Sequence, residues 1–255
     1  MKLVPSLTES DVKECLIFHI AGPMCSWGES SVGNYRPTSS HPTKSAVAGI
    51  LAASLGIDRN DSERQSSLYS DYQYIVVSTG QETELIDFST VESSEEPNEE
   101  RSILPPRSRE LNRDKRNTIL VDRRYICNGY YSVIVIPEGT PRYGLRELKD
   151  ALEHPHYVPY LGRKSCPLAY PMCPSVEKLD NLKTIILSKS HIPFKSDMFS
   201  DAGYPREPGA LSVFSTCRLD SLGGYTQHIR RDNNPDRRSW QFYDRYEYEY
   251  QVVTE

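Results

Sequence analysis

The chain has 255 residues, 37% of them hydrophobic and 25% charged, with a formal net charge of -5 and a mean hydropathy of -0.58; it can bury one large core or two small ones and carries long polar loops. Its longest apolar stretches, 132–137 and 183–187, fall far short of the roughly 20 residues of a bilayer-spanning helix, and Glu9, Asp11 and Glu14 interrupt the place where a secretory leader needs an apolar core, so a cytoplasmic protein without membrane contact is expected. The acidic balance opposes general polyanion binding, which leaves any nucleic-acid role to local charge.

In chain order, residues 14–21 (ECLIFHIA) form an apolar run of strand length that ends at the stop signal Gly22-Pro23. Residues 43–56 (TKSAVAGILAASLG) place Val47, Ile50, Leu51 and Leu55 on one helical stripe, with Thr43 as N-cap and Gly56 as C-terminal stop. Residues 72–79 and 130–136 are rich in aromatic and β-branched types and read as strands, and 145–153 (LRELKDALE) reads as an amphipathic helix. Further on, 184–187 reads as a strand, Gly203 to Gly209 and Gly223-Gly224 mark loops, and 246–253 alternates like a terminal strand. This order suggests an α+β fold of the βαββαβ ferredoxin-like, RNA-recognition-motif-like type with a β-rich C-terminal part, although other α+β folds share so short a pattern.

A break in charge interrupts the middle of the chain. Residues 82–100 hold eight acids and no Lys or Arg, while 101–124 hold eight basic residues against three acids. Pro97, Pro105 and Pro106 disfavour a long helix here, so the expectation is a mobile acidic loop followed by a basic projecting hairpin, inserted over 88–124 into one domain spanning 12–255.

Three segments carry residues suited to a nucleic-acid strand. The glycine loop 22–28 (GPMCSWG) presents Met24 and Trp27, which are either core plugs or stacking platforms, and Arg36 follows within reach of a phosphate or base edge. Pro42-Thr43-Lys44-Ser45 opens a helix, where free backbone N–H groups and the dipole favour an anion beside the Lys44 charge; the Walker A template fails for want of glycines, and an ordinary capped helix start is the plain alternative. Residues 161–165 (LGRKS) put Arg163 and Lys164 in a turn suited to a bent phosphate backbone. A fourth cluster, Arg230, Arg231, Arg237, Arg238 and Arg245, surrounds Trp240 and Phe242, mixing charge with flat surfaces.

Catalytic and metal signatures are thin. The six cysteines form no CxxC pair and read as reduced thiols, so no metal or other cofactor is expected. The histidines show no HExxH spacing and GxSxG is missing. His41, close to Lys44, is the best candidate for general-base work on RNA.

Taken together, GPMCSWG (22–28), YRPTSSHPTKSAVAGILAASLGI (35–57) and YVPYLGRKSCPLAYP (157–171) closely resemble the signature of the CasD family, the "Cas five" subunit of the type I-E CRISPR Cascade complex. The resemblance spans most of 14–175 and returns more faintly at 230–242. It implies a ferredoxin-like domain with a projecting thumb, no catalysis, and a subunit that hooks the 5′ handle of CRISPR RNA and caps one end of the complex. The implied partners are the CRISPR RNA, the backbone-forming subunit and the large subunit, with target DNA nearby. The residues carried over by motif are Met24, Trp27, Arg36, Lys44, Ser45, Arg163 and Lys164, and the thumb maps onto the basic insertion with Arg107, Arg109 and Arg113. The acidic stretch 92–100 and the thumb sequence depart from the family pattern. Two other functions fit the residues: a metal-independent endoribonuclease for CRISPR RNA precursors, using His41 and Lys44, and a general single-strand RNA-binding module.

Overall fold

The computed structural model describes residues 14–78, 83–94, 116–189, 210–233 and 241–253. Their elements are β1 (Glu14–Cys25), β2 (Trp27–Gly28), β3 (Tyr35–Arg36), β4 (Thr38–Ser39), α1 (Lys44–Ser54), α2 (Ser62–Ser70), β5 (Tyr72–Ser78), β6 (Thr83–Ser94), β7 (Arg116–Pro137), α3 (Leu145–Glu153), β8 (Ser175–Lys178), α4 (Leu182–Lys189), β9 (Ala210–Ser215), β10 (Thr226–Asn233) and β11 (Tyr243–Val253). The fold is α+β around one large sheet ordered β10-β11-β9-β5-β7-β1-β8, with β3 and β6 also on β7 and a separate β2-β4 pair. Every pairing along that path is antiparallel.

Alternation along the central strands divides the core in two. Leu16, Phe18 and Ile20 of β1, Tyr72, Tyr74 and Val76 of β5, and Val133 and Val135 of β7 face one side, where α1, α2 and α3 cover them with Val47, Leu51, Leu68, Leu148 and Leu152. The odd positions Cys15, Ile17, Ile75 and Val77 face the other side and meet Leu182, Ile185 and Ile186 of α4. Strands covered on both faces need continuous apolar runs, and SVIVI in β7 and YIVV in β5 supply them.

Four local departures from the sequence expectations have physical causes. First, β1 runs through Gly22-Pro23 to Cys25. Its second neighbour, β8, pairs only with Glu14 to Ile17, so at Pro23 one edge is open and a residue lacking N–H is tolerated there. Second, 184–187 lies in helix α4, where Asn181 Oδ1 accepts the Thr184 N–H at 3.0 Å and the spacing of Leu182, Ile185 and Ile186 buries one stripe. Third, α2 forms on an Asp61 N-cap despite a serine-rich sequence that shows little periodicity.

The fourth departure concerns the charge break. Residues 83–94 are no loop: β6 pairs with β7 from Thr83↔Cys127 to Ser94↔Arg116 in one long ribbon. Arg124 meets Glu84 at 2.9 Å and Arg123 approaches Asp87 at 3.7 Å. The acidic and basic segments are therefore the two limbs of a hairpin, with opposite charges facing across it. Arg107, Arg109 and Arg113 lie outside the described residues, as do Arg237, Arg238 and Trp240.

Candidate nucleic-acid interface

The loop after β1 and the basic turn, 135 residues apart in sequence between Trp27 and Gly162, dock backbone to backbone. The Ser26 N–H donates to the Leu161 carbonyl at 3.1 Å, and the turn closes on itself through Leu161 N–H to Cys166 carbonyl at 2.7 Å and Cys166 N–H to Arg163 carbonyl at 2.8 Å. Gly162 sits at φ +81°, and a Cβ there would stand 1.8 Å from the Ser26 carbonyl oxygen, so only glycine permits the approach. The turn is pinned to the hairpin base as well. Arg163 Nη1 donates to the Tyr125 hydroxyl at 3.0 Å, and its guanidinium lies 4.8 Å from the ring centroid, a cation–π contact. Lys164 is exposed.

Helix α1 starts beside this pair. Thr43 caps it, its hydroxyl accepting the Ala46 N–H at 3.3 Å and lying 3.0 Å from Ser45 Oγ. Glycine loop, helix start and basic turn then line one groove of about 350 Å³, with Gly28, Ser45, Gly49 and Gly162 on its floor and Arg59, Tyr160 and Phe242 around it. A second groove of about 860 Å³ shares Gly28, Thr43, Ser45 and Phe242 and continues between Glu29 and β10. The combination of small residues, exposed rings at Tyr160 and Phe242 and nearby cations suits a single strand held by phosphates and stacking.

Within this geometry the expected residues divide. Ser45 lines both grooves; Arg163 and Lys164 sit on the turn beside them without lining either, and Arg36 is exposed on β3, its Nη1 folded back onto the Gly33 carbonyl at 2.7 Å. Met24 is half-buried against the core. Trp27 is corrected to a core plug: it is 0% exposed and meets Tyr131 edge to face at 5.6 Å, so its ring offers no stacking face. Its indole N–H is buried with no hydrogen-bond partner among the described residues. Lys44 is corrected too. It lines neither groove; it is half-buried, and burial, with Arg245 nearby, pushes its ammonium down to about 8.

The anion position at the helix start is already engaged, because the Ser45 N–H points at Asp232 Oδ2 at 3.4 Å. Asp232 in turn accepts from Arg245 at 2.6 and 3.1 Å. Beneath it, Glu247 is 4% exposed and accepts from Arg230 at 2.7 Å and Arg245 at 3.0 Å. Burial alone would raise this carboxyl; the His41 hydrogen bond and the Arg245 and Arg230 charges outweigh it and hold it well below the usual range. His41 is 0% exposed, 3.1 Å from Glu247 and stacked on Phe214 at 3.6 Å, which removes it from any general-base position in the grooves. Arg59 and Tyr160 were not singled out from sequence. Tyr160 stands inside the 157–168 motif, whereas nothing around Arg59 marks it.

Residues 15–240 match the family profile described as CRISPR-associated protein (Cas_Cas5). The CRISPR system Cascade subunit CasD of Escherichia coli (strain K12) is 32% identical over 161 residues, which cover 63% of this chain and 70% of that protein. A chain of a solved CRISPR RNA-guided surveillance complex superposes with a TM-score of 0.61 at 22% identity, over 94% of this chain and 90% of its own. A structure described as a Cas protein gives 0.56 at 22% identity, over 94% and 95%. At that identity the likeness of the two structures is one of fold.

Proposed function

The chain belongs to the Cas5 family of CRISPR-associated proteins, and from that premise we propose that it is a non-catalytic subunit of a type I-E Cascade complex, holding the 5′ handle of CRISPR RNA in the paired grooves and capping the complex near its target-recognition end. The observation that carries this reading is the convergence of three separate motifs, glycine loop, helix start and basic turn, on one groove. Arg163 and Lys164 hold phosphates, Ser45 offers a hydroxyl, Met24 and Arg36 flank the strand, and Tyr160 and Phe242 supply stacking faces. A ferredoxin-like core is favoured by the β8-β1-β7-β5 order with helices between β1 and β5 and between β7 and β8. On this reading 12–255 is one domain, and the ribbon with its 88–124 tip is a thumb whose Arg107, Arg109 and Arg113 reach the RNA. The backbone-forming and large subunits, with target DNA beside them, are the partners.

Arg163→Glu/Lys164→Glu, co-expressed with the other genes of its operon, should yield complexes depleted of handle-bearing RNA, measured by gel filtration and sequencing of the bound RNA. Unchanged RNA content and assembly would overturn the proposal. The endoribonuclease alternative loses support from the burial of His41. A defined cut of repeat RNA in EDTA, lost in His41→Ala, would restore it.

A further inference from the structure

The wall opposite the three motifs is edge strand β10, and it carries a cation aimed across the larger groove. Arg230 is 22% exposed; its Nε donates to Glu247 Oε2 at 2.7 Å and its Nη1 to Glu29 Oε1 at 2.5 Å. The two acids differ in kind. Glu247 is 4% exposed and shared with His41 and Arg245, so it belongs to the folded core and fixes where the guanidinium points. Glu29 is 36% exposed on a run of exposed residues through Tyr35, and Arg230 is its ion-pair partner among the described residues. Glu29 and Arg230 both line the groove of about 860 Å³, and their bond spans it.

A guanidinium fork accepts carboxylate and phosphate in the same geometry. We propose that Arg230 is a phosphate-holding cation of the cleft and that Glu29 occupies its outer nitrogen in the free protein, so that a bound nucleic-acid phosphate takes the place of the Glu29 carboxylate. The inference rests on the RNA-binding reading above. Exchange conserves the hydrogen bonds of Arg230, because one anion replaces another while Glu247 keeps the inner nitrogen. It requires the displaced carboxylate to leave, since two anions at one nitrogen repel each other. The loop carrying Glu29 therefore swings outward as the strand seats. The wild-type residue acts as a competitor that any single strand must displace.

The test uses the full chain and a short fluorescein-labelled single-stranded RNA of repeat sequence, followed by anisotropy. Glu29→Gln removes the competing charge and should tighten binding about fivefold, the scale of one partly exposed ion pair. Arg230→Gln should weaken it about tenfold or more, with Arg230→Lys intermediate. Hydrogen exchange supplies a second measurement: the amides of 29–34 should exchange faster in Glu29→Gln without RNA, and faster in wild type once RNA is added. If Arg163→Glu weakens binding while Glu29→Gln leaves it unchanged or weaker, the displacement falls and the RNA-binding reading stands. If neither Arg163→Glu nor Glu29→Gln changes a weak, indifferent affinity, the RNA-binding reading falls and takes the displacement with it.

Discussion

One wall of the cleft, loop 22–28 against turn 161–166, is closed by backbone groups, whereas the other, β10 and β11 against the helix start, is closed by ion pairs reaching across as many as 201 positions of sequence. The first depends on shape: a carbonyl oxygen stands where any Cβ at position 162 would have to be. The second depends on charge, with Glu247 shared by His41, Arg230 and Arg245. Volume changes should therefore break one wall and leave the other, while changes of charge or pH should do the reverse. A site that needs fixed turns and yet exchanges anions gains from this division, because the rigid half positions the strand and the ionic half yields to it.

The largest effect is expected from the first wall. Gly162→Val adds a side chain at φ +81° and into the Ser26 carbonyl, and should cost about 3 to 5 kcal/mol. Thermal unfolding should show it equally at pH 5 and pH 8, because no titrating group is touched. Gly162→Ala should be nearly as damaging, since the Cβ itself has no room. An unchanged melting temperature in both variants would show that the two loops do not dock as described.

Next comes the charge of the second wall. Glu247→Gln keeps the shape but strips the carboxylate from the guanidinium groups of Arg245, nearly buried, and Arg230, partly exposed, and should cost about 3 kcal/mol at neutral pH. The sign with pH follows from the lowered carboxyl. Unfolded, Glu247 ionises near its ordinary value of about 4.3. Its contribution is complete above that value and disappears as pH falls through the acid range toward the folded value. Wild type should therefore lose its advantage over Glu247→Gln as the pH drops below about 4. A constant gap down to pH 2 would remove the carboxylate from the account.

The difference between the walls also explains what the sequence made legible. Helix α1 with its Thr43 cap and helix α3 follow from residues close in sequence, and the glycine loop and basic turn carry their close approaches in Gly22 and Gly162. Strand β10 does not announce itself: Thr226 to Asn233 is an edge strand that is polar or charged at every position but Ile229, and its regularity comes from β11. Helix α4 was read as a strand because Thr-Ile-Ile-Leu satisfies β propensity, and only packing of Ile185 and Ile186 against the sheet decides otherwise. Side-chain direction was the hardest to see. Trp27 and Lys44 sit in segments that approach the groove, and whether each points outward is set by how loop and helix meet distant strands, which spacing does not encode.

Lys44 gives the smallest and most discriminating test, because its motif suggests a phosphate contact while its surroundings belong to the ionic wall. It faces Arg245 and Asp232 from β11 and β10, Glu138 after β7 and Cys217 after β9, and among the described residues its ammonium forms no ion pair. Burial and Arg245 hold it down to about 8. Between that value and the unfolded value of about 10.4, the unfolded chain binds more protons at this site, so the penalty that Lys44 imposes should fade as pH rises across this window. Below pH 8 the lysine is charged in both states and carries a constant penalty. Lys44→Met removes that penalty and should stabilise the protein by about 2 kcal/mol at neutral pH, the gap to wild type shrinking between pH 8 and about 10.5. Because the side chain is half-buried beside Arg245 and, unlike Lys164, is not exposed to a strand in the grooves, RNA affinity should stay unchanged. A stabilised Lys44→Met that no longer binds RNA would return Lys44 to the phosphate contacts that the helix start first suggested, and would mean that α1 rotates when the strand is seated.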